Sequence, residues 1–125
     1  MAQVRDPGSA VPAALWHVTL TVAGVPVSDA DIRAALERLA HERPFLHAGR
    51  YAADRAEVRY WEEAATLLDA ASLALRLWPE HRATALLPAW DVVGLEVLDR
   101  DTYHHRHEHA GDWPVLVGRS EIRPF

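Results

Sequence analysis

Eight histidines stand in the 125 residues, and four of them fall in the run His104, His105, Arg106, His107, Glu108, His109. Imidazole titrates nearest neutrality of all side chains and is a common metal ligand, so the run is the first place to look for chemistry. In a helix, His105 and His109 would lie one turn apart on one face, and His104 and Glu108 on another. That separation lets two side chains grip one divalent cation. His105, His109 and Glu108 are therefore the candidate metal ligands. The competing reading is a solvated run near the end of the chain. Neighbouring histidines without ligands from elsewhere hold metals weakly, and their cationic crowding opposes a preformed site. The solvated reading is preferred.

A second group is dispersed in the sequence. His17, Thr19, Arg50, Glu57, Arg59 and Trp61 fall on the outward side of alternating segments, so one sheet face would gather them. Guanidinium forks beside an indole suit a small anionic or aromatic molecule. Trp and Arg are also favoured at protein interfaces, and a two-fold contact would shield the apolar part of such a face. The group is read as a ligand-binding or dimer face, with dimerisation the preferred of the two.

Other residues call for less. Asp91, Glu96, Asp99 or Asp101 could pair with a nearby histidine for acid–base work, but Asp99 and Asp101 stand where a strand gives way to a possible helix, and Asp is a favoured N-cap. Trp16, Trp78 and Trp90 read as packing aromatics. His47 is expected to face the helices as a hydrogen-bonded interior histidine.

The elements that must position these groups follow from periodicity. Residues 15–23 alternate as a half-buried strand. Ser28, with Asp31 three residues later, marks a helix start near Asp29, and Pro44 ends that helix. Residues 45–52 and 55–61 form a hairpin turning at Ala53 and Asp54, which sets Arg50 opposite Glu57, Leu46 opposite Trp61 and His47 opposite Tyr60. Residues 62–78 carry Leu67, Leu68, Ala71, Leu75 and Trp78 at helical spacing, with Pro79 as the stop. Residues 90–98 make the last strand. The order βαββαβ predicts an α+β fold of ferredoxin-like type: a four-stranded antiparallel sheet, two helices on one face, and a C-terminal extension. Residues 1–13 are expected to be a flexible N-terminal segment. Residues 14–125 are expected to be a single α+β domain, with 101–125 as the extension, able to add an edge strand.

Composition sets the outer bounds. Half of the residues are hydrophobic and a quarter charged, which is ordinary for a chain that buries a core. With no cysteine there is no disulfide, thiolate metal site or cysteine nucleophile. The formal charge of -5 and the absence of a basic cluster argue against nucleic acid as a partner. The first residues contain no continuous apolar run, so no membrane association is expected, and the location is read as cytoplasmic.

Motif comparison only subtracts. The aromatic and basic signature of RNA-recognition modules is missing from the central strands. The stretch Gly24-Val25-Pro26-Val27-Ser28 lacks the Arg of an acylphosphatase cradle, and no P-loop or G-x-G-x-x-G stretch occurs. Three readings follow. The first is a non-catalytic, dimeric domain, without cofactor, that binds a small ligand or a protein partner by its open sheet face. The second is a divalent-metal protein using the 104–109 run. The third is a small cofactor-free enzyme of the dimeric α+β barrel kind, with His17 moving protons in a pocket.

Overall fold

The computed structural model describes residues 13–110 and 120–125, with side chains of the last helix followed as far as His107. The segment expected at 1–13 lies outside the described residues except for Ala13. In chain order the elements are β1 (Ala14–Ala23), α1 (Asp29–Glu42), β2 (Leu46–Ala52), β3 (Arg55–Ala64), α2 (Leu67–His81), β4 (Asp91–Asp99), α3 (Arg100–Ala110) and β5 (Glu121–Pro124).

The local reasons are the ones that the residue types dictate. On β1, Val18, Leu20 and Val22 are buried towards α1 and α2, as alternation requires. Ser28 caps α1 by accepting the Asp31 N–H at 3.0 Å. Thr66 does the same for α2 through the Asp69 N–H at 3.1 Å. The β2–β3 hairpin turns at Ala53 and Asp54, with Ala52 opposite Arg55 and Arg50 opposite Glu57.

The strands assemble in the order β4-β1-β3-β2-β5. All neighbours are antiparallel except β5, which runs parallel to β2. This overturns the expected four-stranded antiparallel ferredoxin-like sheet with two helices: among the described residues the sheet is five-stranded and mixed, and there are three helices. The cause lies in the last quarter of the chain. The open edge of β2 offers unpaired backbone groups. Residues Glu121–Pro124 satisfy them, and the side chain of Ile122 packs against the core. Residues 115–117, within the stretch expected to add an edge strand, lie outside the described residues.

Two further boundaries differ. Residues 62–64 extend β3 instead of opening α2, because Trp16, Leu15 and Ala14 of β1 pair with Glu62, Glu63 and Ala64. Pro79 lies inside α2, which ends at His81. In the last turn a proline removes a single ladder bond, and the helix absorbs that.

The core lies between the sheet and the α1/α2 layer, where Ile32, Leu36 and Leu39 meet Trp78, Leu77 and the inner residues of β1 and β3. Gly24 is a close approach: a Cβ there would sit 2.4 Å from Trp90 Cδ1. Among the described residues, Tyr60 Oη is buried without a hydrogen-bond partner, and burial pushes its phenol well above the usual range. Removing a polar atom that is already unpaired should cost little. Tyr60→Phe is therefore expected to keep or slightly raise the urea midpoint, and a clear drop would mean that the hydroxyl has a structural partner.

Among the described residues, no helix is long and apolar enough to cross a membrane.

Candidate functional site

The sheet face turned away from α1 and α2 begins with His17. Alternation on β1 puts it opposite Val18, yet it is only 2% exposed. Two elements bring its cover. β2 carries a bulge between Leu46 and Ala48, so that Leu46 pairs with Tyr60 and Ala48 with Arg59. The extra residue, His47, is delivered to the His17 side. The expected pairings of Leu46 with Trp61 and His47 with Tyr60, and a His47 facing the helices, are corrected by this one insertion.

The second cover is α3. Asp99 caps it, its Oδ1 accepting the Thr102 N–H at 2.7 Å, and that bond holds the Asp99 carboxyl below its ordinary range. Tyr103 then points at the sheet and is buried. Arg106 and His107, three and four residues on, share its side of the helix. Arg106 Nη1 meets Glu96 Oε2 of β4 at 2.9 Å, which ties α3 to the sheet.

At the floor, His17 Nε2 and His47 Nε2 are 2.9 Å apart. One nitrogen must donate and the other accept, so the two rings hold opposite tautomers at that bond. Burial lowers the His17 pKa to about 3, helped by His47, Arg59 and His107. Burial also lowers His47 to about 4, helped by Arg59 and His107. Both rings are neutral at neutral pH. The His107 Nδ1–H donates to the Tyr103 carbonyl at 2.8 Å, a contact that fixes the tautomer of the third ring.

Aromatic packing closes the cluster. The Tyr103 ring lies 4.1 Å from His17 and 4.1 Å from His107, centroid to centroid, and meets Trp61 edge-on at 4.8 Å. The edge-on Trp61 contact falls in the favoured range for rings with negative faces and positive edges, and the two His contacts are closer still.

Beside this cluster a cleft of about 320 Å³ opens, lined by His17, Thr19, Glu57, Arg59, Glu96, Leu98, Arg106 and His107. Arg59 pairs with Glu57 at 3.4 Å. Two guanidiniums, two carboxylates, a hydroxyl and two imidazoles thus converge on one concavity. Such a set can orient a small polar molecule through several hydrogen bonds. A smaller cleft, about 230 Å³, lies at Leu15, Phe45, Trp61, Arg100 and His104. A third, about 330 Å³, lies between α1 and β5 at Arg33, Glu37, Ala40, His41, Ser120 and Ile122, away from the histidine cluster.

Of the residues singled out by the sequence, His17, Thr19, Glu57 and Arg59 come together in one cleft. Trp61 touches His17 but lines the smaller cleft, and Arg50 sits outside both, exposed on β2. His105 is exposed on α3, whereas the side chains of Glu108 and His109 lie outside the described residues. Among the described residues, no three His, Cys, Asp or Glu side chains converge to hold a metal ion.

The residues missed for this face are His47, Tyr103, Arg106 and His107, and Glu96 was weighed only for acid–base work. One signal was present: Tyr103 is the large aromatic in a stretch otherwise polar from Arg100 to His109. Its side had to face the protein, carrying Arg106 and His107 with it.

These features define a class: an α+β domain whose five-stranded mixed sheet carries two helices on one face and a third over a partly buried histidine pair on the other. The chain belongs to the family described as a domain of unknown function, DUF8830, whose model matches residues 15–113. That span takes in β1 through α3, and with them both histidines of the pair and Tyr103. No curated protein matches the chain.

Proposed function

We propose that this domain binds a small polar molecule in the cleft between the sheet and α3, as a binding module and not as a metal protein. The convergence of His17, Thr19, Arg59 and Arg106 on one concavity carries the reading. Paired charges on the walls and a neutral imidazole on the floor favour a ligand with an anionic group and a second hydrogen-bonding group. Tyr103 shields the aromatic part of the sheet face, so a symmetric dimer over that face is not needed to keep it from water.

A second reading, a small cofactor-free enzyme, draws support from the presence of His17 in the cleft. A neutral imidazole held in one tautomer by its partner can donate or accept a hydrogen bond on a reacting group.

The binding reading is tested by a thermal-shift screen of small carboxylates and phosphates against the wild type, Arg59→Ala and Arg106→Ala. At least one compound should raise the wild-type midpoint and lose about tenfold or more in affinity in Arg59→Ala. A compound that stabilises all three proteins equally would place binding elsewhere, and a screen with no hit would count against the cleft.

A further inference from the structure

Helix α2 is apolar on both of its sides. Ala70, Ala74, Leu77 and Trp78 are buried against the core. On the far side, Leu68, Ser72, Leu75 and Pro79 recur at spacings of three and four, which puts them in one stripe. Leu68 is 75% exposed and Leu75 49%. A helix that is apolar all round is ordinarily covered all round, and an exposed stripe of this kind marks a contact surface.

A second feature lies at the C-terminal end of the same helix. Pro79, Arg82, Ala83, Leu86 and Leu87 line an open groove of about 550 Å³. Leu86 has a left-handed backbone, with φ 55°, which a residue other than glycine adopts at a conformational cost. Arg38 holds the turn in place: its Nε–H donates to the Ala85 carbonyl at 2.7 Å and its Nη2–H to the Leu86 carbonyl at 3.4 Å. The side chain that this turn presents is 67% exposed.

The stripe and the groove fit a second copy of themselves. A two-fold axis near Ser72 runs the partner's α2 antiparallel to the first, so that each contact is made twice. In that register Leu68 seats between the partner's Leu75 and the partner's Pro79, at the groove. Asp69 and Arg76 share one flank of the helix, about 10 Å apart along its axis, too far to pair within one chain. Across the two-fold, Asp69 of each copy meets the partner's Arg76. The Asp69 carboxylate has no ion pair among the described residues, and Arg76 is oriented along the helix by Glu80 at 2.6 Å. Opposite charges on either side of Ser72 select a second copy over an unrelated apolar segment. We infer that the outer stripe of α2 is the contact surface of a symmetric homodimer, antiparallel about Ser72, with Asp69 of one copy paired to Arg76 of the other. The sheet face that carries the His17 cleft is turned the other way and stays open. A fifteen-residue helix is about 22 Å long and about 10 Å across. Its face is at the low end for a specific contact, so the dimer is weak and depends on concentration.

The test uses the full chain, which has no cysteine of its own, so that single cysteines report geometry. Asp69, Ser72, Arg76 and Glu80 are exposed, so substitutions there should leave the monomer folded, which far-ultraviolet circular dichroism checks. Sedimentation equilibrium over a concentration series should show a reversible dimer for the wild type. Arg76→Glu should weaken it at least about tenfold by setting like charges together. Adding Asp69→Arg should restore it, because the swapped pair forms only between copies. Under mild oxidation Ser72→Cys should give a disulfide-linked dimer. Glu80→Cys, on the flank and two turns from the axis, should not.

A wild type that stays monomeric across the series, with Ser72→Cys linking no faster than Glu80→Cys, would overturn the inference. A dimer indifferent to Arg76→Glu would sit on another face and overturn it as well. Loss in Arg76→Glu without recovery in the double variant would rule out the antiparallel register. Nuclear Overhauser contacts of Leu68 and Leu75 with residues 1–12 in the monomer would make the chain's own first residues the cover, and would also overturn it. The His17 cleft is decided separately, by the carboxylate and phosphate screen.

Discussion

Replacing Trp78 with alanine should cost about 3–5 kcal/mol, a large share of the stability of a domain this size. Trp78 is 1% exposed in the core under the sheet. Its ring is stacked with that of Trp90, 3° from parallel with centroids 6.3 Å apart. Its Nε1–H donates to the Pro88 carbonyl at 2.9 Å, while Trp90 Nε1–H donates to the Val25 carbonyl at 2.8 Å. The pair thus ties the loop before β4 to α2 and to the turn after β1. Trp78→Phe keeps most of the buried surface, and the Pro88 carbonyl keeps the Trp90 backbone N–H at 2.8 Å, so the lost indole bond should cost about 0.5–1.5 kcal/mol. Urea unfolding with an unchanged slope measures both. A loss below about 1 kcal/mol for the alanine variant would mean that the site collapses around the missing ring.

The second large effect is a loss of stability in mild acid. In the unfolded chain both histidines of the pair gain a proton as pH falls through 6.5, whereas in the fold His47 stays neutral down to about 4 and His17 down to about 3. Between those limits the unfolded state binds more protons, so stability falls with pH. His17 alone accounts for a loss of about 2 kcal/mol between neutral pH and about pH 5. Burial is the largest cause for both; Arg59 on β3 and His107 on α3 add to it for each ring, and His47 adds to it for His17. Urea midpoints for the wild type and for His17→Gln with His47→Gln, taken across that window, check the sign. The double variant should be less steep, and an equal slope would show that the rings are not held neutral. Elsewhere, Glu42 has a lowered pKa because His81 and Thr84 hydrogen-bond to it, so its own contribution is lost only at lower pH.

What was legible in the sequence was whatever local chemistry decides. The alternation of β1 named its buried side, Ser28 and Asp31 marked the start of α1, and Ala53 with Asp54 marked the turn. These signals need only neighbours in the chain. The parts that escaped depend on distant ones. Whether Glu62 to Ala64 extend a strand or open a helix is decided by pairing with Ala14 to Trp16, some fifty residues earlier. The fate of Glu121 to Pro124 depends on a free edge of β2.

The site divides the same way. His17, Thr19, Glu57 and Arg59 were readable as one face because strand alternation fixes sides. His47 was assigned to the wrong side because a bulge adds one residue and reverses everything beyond it. The run of histidines drew attention to spacing within itself, whereas the described part of it acts through Tyr103, Arg106 and His107 facing the sheet. The fold class failed for a related reason: the stretch after β4 reads as an appendage when its own composition is considered, yet it completes the sheet and covers its second face.

The central claim is that the cleft over His17 is where this domain meets a ligand. The most direct measurement is a nuclear magnetic resonance titration of the labelled protein with the best stabiliser from the carboxylate and phosphate screen, following backbone amides together with the imidazole and guanidinium nitrogens. The account predicts that signals of His17, Thr19, Arg59 and Arg106 move together and saturate at one equivalent. Shifts confined to Arg33, His41 and Ile122, at the cleft between α1 and β5, would contradict it.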